Sequence, residues 1–275
     1  MKHEKLLIIH ADDAGLCHSE NRATIKALEF GCVNSYSIMV NCPWFYEIAT
    51  FSRTHPQYDV GVHLTLTCEW ESYKFGPVLP TSKVPSLVDD QGYFYKNRDL
   101  VRQNAVTEEV HKELTAQIER ALSFGITPSH LDSHMYSVAS RPDLFECYKA
   151  LGRKYGLPVL INTQLMEMAG LNVNQNSFGK DVIVDKAHYG IFEYYKKGEL
   201  QQYYENVLDD LVDGLNVILI HPAFDDAEMQ AVTLNHPNFG AAWRQIDFDY
   251  FSSDAFREKL KQSNVKLVTW KDVGF

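Results

Sequence analysis

The segment LLIIHADDAGL, residues 6–16, decides the fold that this sequence predicts. Its first four residues are apolar and partly β-branched, a pattern typical of a buried β-strand. The strand runs straight into Asp12 and Asp13, and Gly15 follows. A strand that ends in two carboxylates places negative charge at one edge of a sheet, where a ligand or a metal ion can use it. Taken alone, the same residues also fit a solvated turn, because Asp and Gly are common turn formers.

Three later segments repeat the pattern of an apolar strand that ends on ionisable residues. The strand predicted at 59–64 contains His63, the segment 128–134 reads PSHLDSH, and the strand predicted at 216–220 runs into His221. In a parallel α/β barrel the carboxyl ends of all strands lie on one face, where the active site is found. We therefore expect residues from these four segments to converge on that face.

Strand and helix patterns alternate along the chain, which indicates a parallel sheet. About seven such units favour a closed or nearly closed α/β barrel, and we expect one domain over residues 1–275. Periodicity fails at about 68–103, which predicts either a long functional loop or a small insertion. It also fails at 164–190, and a polar loop is predicted from 222 to about 249. The remaining helices are predicted at 19–30, 44–51, 107–124, 142–155, 199–212 and 253–262, and the remaining strands at 33–40, 159–161 and 266–269.

The composition limits the function classes that fit the chain. With 275 residues, of which 45% are hydrophobic, the chain can bury a full core. Its formal net charge of −10 argues against nucleic acid and anionic membranes as partners, since both are bound through basic patches. Five scattered cysteines, and a polar start without a signal-like apolar run, predict a cytoplasmic protein with free thiols. A small-molecule substrate fits these limits, and a homodimer is compatible with the sequence.

Residues 130–134 contain the densest group of candidate metal ligands. In an extended segment His130, Asp132 and His134 share one face, because side chains alternate with a period of two. Two histidines and a carboxylate with an open coordination position form a common catalytic site for Zn²⁺ and related divalent ions. The other acids and histidines at the strand ends would then orient the ligands or move protons.

Four motifs together resemble those of the YdjC-like carbohydrate deacetylases, the chitooligosaccharide deacetylase family. They are HADDAGL at 10–16, GVHL at 61–64, HLDSH at 130–134 and HPAF at 221–224, in the family's order and across almost the whole chain. The segment RQID at 244–247 also looks similar to the family's closing segment. The resemblance implies a distorted (β/α) barrel and the metal-dependent removal of an acetyl group from an N-acetylated amino sugar or short oligosaccharide.

The resemblance also implies a role for each matching residue. Asp13, His63 and His134 would hold one divalent ion, zinc or magnesium. Asp12 would act as the general base, and His221 as the acid that protonates the leaving amine. The residues expected to support the site or to contact the substrate are His130, Asp132, Arg244 and Asp247.

The chain departs from the family pattern at four positions. His10 stands where members often have Asn, and Ala14 stands where they have Phe. Met135 and Tyr136 follow His134, whereas the family tends to have further histidines there. These departures leave the expected ligands intact and bear on the identity of the sugar and of the metal.

Two local features are expected at the site. Adjacent side chains of a strand point to opposite faces, so Asp12 and Asp13 can share a site only if the chain turns there, which Gly15 favours. Arg244 and Asp247 are expected to form a buried pair that supports the rim, the alternative being that they contact the substrate. One or two aromatic residues are expected to reach a bound sugar, from the set Trp70, Tyr73 and Trp243.

Two other functions fit part of the pattern. The pair His130-x-Asp132 is the start of a non-haem iron facial triad, which would make the protein an oxygenase. Those sites usually lie in antiparallel β barrels, and the repeated helices of this chain argue against one. A catalytically silent sugar-binding barrel would keep the scaffold but lose a base or a ligand. The chain has all four of these residues: Asp12, Asp13, His63 and His134.

Overall fold

In the computed structural model, which describes residues 4–171 and 181–273, seven parallel strands curl into a half-barrel with helices packed around it. The main path of the sheet runs β4-β3-β2-β1-β6-β5, and β7 pairs with β1 beside this path. The predicted α/β class with about seven parallel strands is therefore confirmed. The strands are β1 (Lys5–Ala14), β2 (Ser35–Ile38), β3 (Asp59–Leu64), β4 (Leu131–Ser133), β5 (Lys186–Tyr189), β6 (Gly214–Ile220) and β7 (Val265–Leu267).

The helices follow the strands in the order that a parallel sheet requires. The six predicted helices are all present near their predicted ranges, and 142–155 is reproduced to the residue. No helix in the described parts of the chain is both long and apolar enough to cross a membrane. The helices are α1 (His18–Phe30), α2 (Phe45–Thr54), α3 (Arg98–Asn104), α4 (Thr107–Ser123), α5 (Pro142–Tyr155), α6 (Thr163–Met168), α7 (Phe192–Lys196), α8 (Leu200–Val207), α9 (Ala227–Val232), α10 (Ala241–Phe251), α11 (Asp254–Gln262) and α12 (Trp270–Val273).

Strand β1 is the centre of the sheet. It pairs with β6 from Lys5 to Ala11 on one side. On the other side β7 pairs with the stretch from Lys5 to Leu7, and β2 takes over from His10 onward. Because β1 has neighbours on both sides and helices over the sheet, its residues from Leu7 to Ala14 are all buried.

The chain turns at Asp13, as expected if the side chains of Asp12 and Asp13 are to face the same site. The register between β1 and β2 shifts between Ala11 and Ala14, and Asp13 has a φ of 65°. A left-handed residue inside a strand breaks the alternation of side chains, so neighbouring carboxylates can face the same space. Gly15 also has a positive φ, of 102°, but the residue that turns the second carboxylate is Asp13 itself.

Between its two edge strands, β4 and β5, the half-barrel is bridged only by a few hydrogen bonds. The strand predicted at 159–161 is wrong, because this segment makes one isolated bridge, between Val159 and Leu131. The Ile161 carbonyl accepts a hydrogen bond from the Val184 amide, just before β5. Two backbone hydrogen bonds at Leu131 and one at Val184 therefore join β4 to the β5 edge, where a ladder was expected.

Two of the predicted irregular regions contain regular structure. The polar loop predicted from 222 to about 249 is wrong, because it holds α9 and α10. The buried face of α10 includes Arg244 and Asp247, and buried polar residues hide the apolar period on which the prediction depends. The region 164–190 contains most of α6 and all of β5, and its residues 172–180 lie outside the described chain.

The excursion predicted at about 68–103 contains no strand of the sheet. Two short 3₁₀ helices, Thr81–Lys83 and Pro85–Leu87, and the first part of α3 lie within it. Isolated bridges from Thr67 to Tyr95 and from Val88 to Phe94 fold it back on itself. The excursion contributes Glu69 and Arg98 to the cavity described below.

Candidate metal centre and active site

A cavity of about 470 Å³ opens at the carboxyl ends of the strands. The structure brings together there ionisable residues from each of the four predicted segments. The convergence follows from the parallel topology, because each of these residues lies within two positions of the carboxyl end of a strand. The residues from these segments that line the cavity are Asp12 and Asp13 of β1, His63 of β3, Asp132 of β4, and His134 and His221 just beyond β4 and β6.

Asp13, His63 and His134 form a compact group of donor atoms. Asp13 Oδ1 lies 3.2 Å from His63 Nε2 and 3.0 Å from His134 Nδ1. Three ligand atoms, one from each residue, lie within 4.8 Å of one another. Two donors that each lie about 2.1 Å from one ion, at angles of roughly 90–110°, are about 3.0–3.4 Å apart. The spacing and the chemistry of these residues therefore fit one divalent ion.

Each of the three side chains has a second partner on the side away from the group. Asp13 Oδ2 accepts a hydrogen bond of 2.8 Å from Arg244. His63 Nδ1 lies 2.9 Å from Asp132 Oδ1, and His134 Nε2 lies 2.9 Å from Glu69 Oε2. Carboxylate or cationic partners of this kind fix the orientation of metal ligands. Glu69 was not predicted, since it lies in an irregular stretch where no periodicity singles it out.

The expected pairing of Arg244 with Asp247 is wrong. Arg244 is 1% exposed, and its guanidinium joins Asp13 to Glu20, with 2.6 and 2.7 Å hydrogen bonds to the two Glu20 oxygens. Burial alone would raise the pKa of Asp13, but the charges of His134 and Arg244 hold it well below its usual value. Burial raises the pKa of Glu20 well above its usual value, against the opposing effect of Arg244.

Asp247 supports His221 instead. Its Oδ2 accepts a 2.9 Å hydrogen bond from the His221 backbone amide, and its Oδ1 accepts a 2.6 Å bond from the Tyr204 hydroxyl. Burial raises the pKa of Asp247 to about 7. Arg244 and Asp247 lie on the same buried face of α10 and fix two different parts of the site.

Asp12 lies between two histidines. Its Oδ1 is 3.2 Å from His10 Nε2, and its Oδ2 is 3.6 Å from His221 Nε2. Burial would lower the pKa of His10, but Asp12 and Asp132 raise it to about 9. Burial lowers the pKa of His221 to about 4. Asp12 therefore has a cationic neighbour on one side and a neutral imidazole on the other at neutral pH.

His130 is not one of the residues that line the cavity. Its ring is fully buried and stacks on Trp270, with 4.8 Å between the ring centroids. His130, His10 and Asp132 do form a second group of donor atoms within 4.8 Å of one another. Of these three only Asp132 lines the cavity, so an iron ion held there would lack the open position that an oxygenase requires.

The rest of the cavity lining is largely apolar. None of Trp70, Tyr73 and Trp243 is among the described residues that line the cavity, so that expectation is wrong. Trp70 and Trp243 are fully buried, and Trp70 packs under the Arg244 guanidinium. The apolar and aromatic side chains that do line the cavity include Leu160, Leu165, Met168, Tyr189, Phe192 and Phe239.

The chain is similar to proteins of one family along nearly its whole length. The family model described as YdjC-like protein matches residues 6–262. A carbohydrate deacetylase from Enterococcus faecalis is 32% identical over 275 residues, which cover 98% of each chain. A chitooligosaccharide deacetylase from Yersinia enterocolitica is 28% identical over 276 residues, covering 98% of this chain and 99% of its own.

A crystal structure has the same fold. It is that of an Enterococcus faecalis V583 protein named for cellobiose-phosphate cleavage, with a TM-score of 0.82 and 27% identity. The similarity covers 99% of this chain and 100% of that one. Together with the family match, this agreement over the full half-barrel leads to one conclusion: the chain is a member of the YdjC-like protein family.

Proposed function

We propose that this protein is a metal-dependent hydrolase that removes the acetyl group from an N-acetylated amino sugar or a short, chitobiose-like oligosaccharide. The observation that carries the proposal is the convergence of Asp13, His63 and His134 on one point at the edge of the cavity. The names of the relatives, carbohydrate deacetylase and chitooligosaccharide deacetylase, support the reaction class. The five cysteines form no disulfide, which supports a reducing, cytoplasmic location.

In this proposal Asp13, His63 and His134 hold one zinc or magnesium ion. When bound, such an ion supplies Lewis acidity, which polarises a carbonyl oxygen and lowers the pKa of a coordinated water from about 15.7 toward about 7. The donor set of two imidazoles and one carboxylate is the type found in catalytic zinc sites. Asp132, Glu69 and Arg244 hold the three ligands from behind.

Asp12 acts as the general base. Its carboxylate lines the cavity next to the ligand group, and its backbone neighbour Asp13 supplies the third ligand. It is therefore within reach of a water molecule in the cavity without being needed as a ligand. Protonation and deprotonation by a positioned side chain contribute about 10²–10⁴-fold to the rate of such reactions.

His221 acts as the acid toward the leaving nitrogen. Because burial lowers its pKa to about 4, the ring is neutral in the resting protein at neutral pH. Asp12 Oδ2 lies 3.6 Å from His221 Nε2, so a proton accepted by Asp12 is one small displacement from that ring. During the reaction Asp12 thus passes the proton it has accepted to His221, which can then donate it to the leaving nitrogen. Asp247 holds the His221 backbone in place.

The test is acetate release from N-acetylglucosamine and from its β-1,4-linked dimer, with chelator treatment followed by zinc or magnesium add-back. Asp12→Asn is expected to lower turnover about 10²–10⁴-fold with little change in metal affinity. His63→Ala is expected to lose both activity and metal. Asp90→Asn, at an exposed position in the excursion, is the matched control and should behave as wild type.

Three results would contradict the proposal. Near-normal turnover by Asp12→Asn would show that the base is another residue. Tight sugar binding without acetate release would favour the catalytically silent barrel. Consumption of oxygen by an iron-loaded protein would favour the oxygenase alternative based on His130 and Asp132.

A further inference from the structure

We propose that Glu69 is a positioning residue for the metal centre, which fixes the ring of His134 so that Nδ1 faces the ion. This inference rests on the metal site of the proposed function. Glu69 lines the cavity, and neither the family resemblance nor the strand-end pattern assigns it a role.

The two ring nitrogens of His134 have different partners. Nε2 lies 2.9 Å from Glu69 Oε2, and Nδ1 lies 3.0 Å from Asp13 Oδ1. With an ion held between Nδ1 and Asp13, the one hydrogen of the neutral ring belongs on Nε2, where the ionised Glu69 carboxylate can accept it. The lone pair of Nδ1 is then directed toward the position that His134 shares with Asp13 and His63. The contact with Glu69 thereby selects the tautomer that can bind a metal.

The backbone alone does not hold His134 as it holds His63. His63 lies inside β3, which pairs with β2 on one side and with β4 on the other. His134 follows the last residue of the three-residue strand β4, and the next two residues, Met135 and Tyr136, have φ values of 51° and 50°. A ring at the start of such an irregular turn depends on side-chain contacts for its orientation.

The backbone around Glu69 is anchored well enough to serve as such a contact. The preceding Cys68 amide donates a 2.9 Å hydrogen bond to the Tyr95 carbonyl, next to the Thr67 to Tyr95 bridge. The following Trp70 is fully buried and packs edge-on against His236, at 5.0 Å between ring centroids. The backbone of Glu69 is therefore held in place between two buried neighbours, within reach of His134.

Glu69 is also the partner that can be changed with the fewest side effects. Asp132, behind His63, also accepts hydrogen bonds from His10 and Ser37. Arg244, behind Asp13, also binds Glu20. In the described parts of the chain, the side-chain hydrogen bond of the Glu69 carboxylate is made to His134.

The experiment measures zinc affinity of the full chain by competition with a chromophoric chelator. Glu69→Leu is expected to weaken zinc binding about 10–100-fold, the usual cost of losing a hydrogen-bond partner of a metal-ligating histidine. Glu69→Gln keeps an acceptor oxygen but loses the charge, so a smaller loss on the order of a few-fold is expected. Glu71→Gln is the matched control, because exposed Glu71 bonds to Asn235 and should leave the affinity unchanged.

A second measurement separates positioning from a general structural effect. In the zinc-loaded, ¹⁵N-histidine-labelled protein, the Nε2–H proton of His134 should be protected from solvent exchange and visible by NMR. In Glu69→Leu this signal should be lost through exchange, and in Glu69→Gln it should remain and move. A merely structural role would lower the melting temperature of the metal-free variants and leave the signal of the loaded protein in place.

The outcomes distinguish this inference from the proposed function. If the wild-type chain binds no divalent metal, the metal site itself is wrong. If the wild type binds zinc and Glu69→Leu binds it equally well with an unchanged His134 signal, the role of Glu69 is overturned. If Glu69→Leu does not fold, unchanged affinity and an unchanged signal in Glu69→Gln would overturn it.

Discussion

Replacing Arg244 by leucine removes the guanidinium that joins Asp13 to Glu20 in the wall of the site. All three side chains are about 1% exposed or less, so neither carboxylate can replace the lost contact with hydrogen bonds to water. Breaking a buried ion pair by removing one partner costs about 3–5 kcal/mol, because the charge left behind stays buried and unpaired. At about 2–3 °C per kcal/mol for a chain of this size, the melting temperature should fall by roughly 6–15 °C.

The pH dependence of this loss has a definite sign. Burial already raises the pKa of Glu20 well above its usual value with Arg244 present, and removing the guanidinium raises it further. The unfolded chain releases the Glu20 proton as the pH rises past about 4.3, while the folded variant keeps it. Because burial raises the Glu20 pKa in the wild type as well, the two proteins diverge only above that wild-type pKa, and beyond it Arg244→Leu should lose stability relative to wild type as the pH rises.

The assay is urea unfolding of the metal-free protein at several pH values, followed by circular dichroism. The double variant Arg244→Leu/Glu20→Leu removes one of the stranded carboxylates and should recover part of the lost stability. Arg153→Leu, at an exposed position on α5, is the matched control and should change stability by less than about 0.5 kcal/mol. A double variant no more stable than Arg244→Leu, or a loss independent of pH, would show that packing and not charge accounts for the effect.

Three further substitutions test contacts around the site. Gly61→Ala should destabilise the fold by about 1–3 kcal/mol, because its Cβ would lie 2.3 Å from His130 Nε2; urea unfolding measures the loss, and wild-type stability would refute the close approach. Tyr204→Phe should cost about 1–3 kcal/mol by leaving a buried Asp247 oxygen without its donor, and an unchanged unfolding midpoint would contradict this. Burial lowers the pKa of His188 to about 4, so the unfolded state takes up its proton first as the pH falls below about 6.5. His188→Gln should then weaken the acid dependence of the unfolding free energy between pH 6 and 4.5, by up to about one proton, and an equal slope in both proteins would refute it.

Local signals in the sequence predicted the elements that have clear beginnings and ends. Helix α5 was predicted to the residue, because Pro142 suits a first helical position and Gly156 ends it with a φ of 65°. Helix α10 was missed because its inward face includes Arg244 and Asp247, which serve the site and not the core. The polar residues that make the site work are thus the ones that conceal the helix from a hydrophobic pattern.

In the site, too, some residues could be predicted from the sequence and others could not. Residues at strand ends, such as His63 and His221, were predictable because parallel topology gathers all strand ends on one face. Glu69 and Glu20 were not, because one lies in an irregular loop and the other on a helix. Their importance depends on contacts with residues 65 and 224 positions away, which no local pattern can show.

The arrangement of Asp12 and Asp13 explains how two adjacent identical side chains can have different tasks. The left-handed backbone at Asp13 and the register shift of β1 let both carboxylates reach one cavity. Asp13 is held by Arg244 and lies against His63 and His134, so both its oxygens already have cationic or ligand neighbours. Asp12 Oδ2 has only His221 nearby, at 3.6 Å, among the described contacts, which leaves that oxygen free to exchange a proton. A single backbone angle thus separates a carboxylate suited to hold a cation from one suited to move a proton.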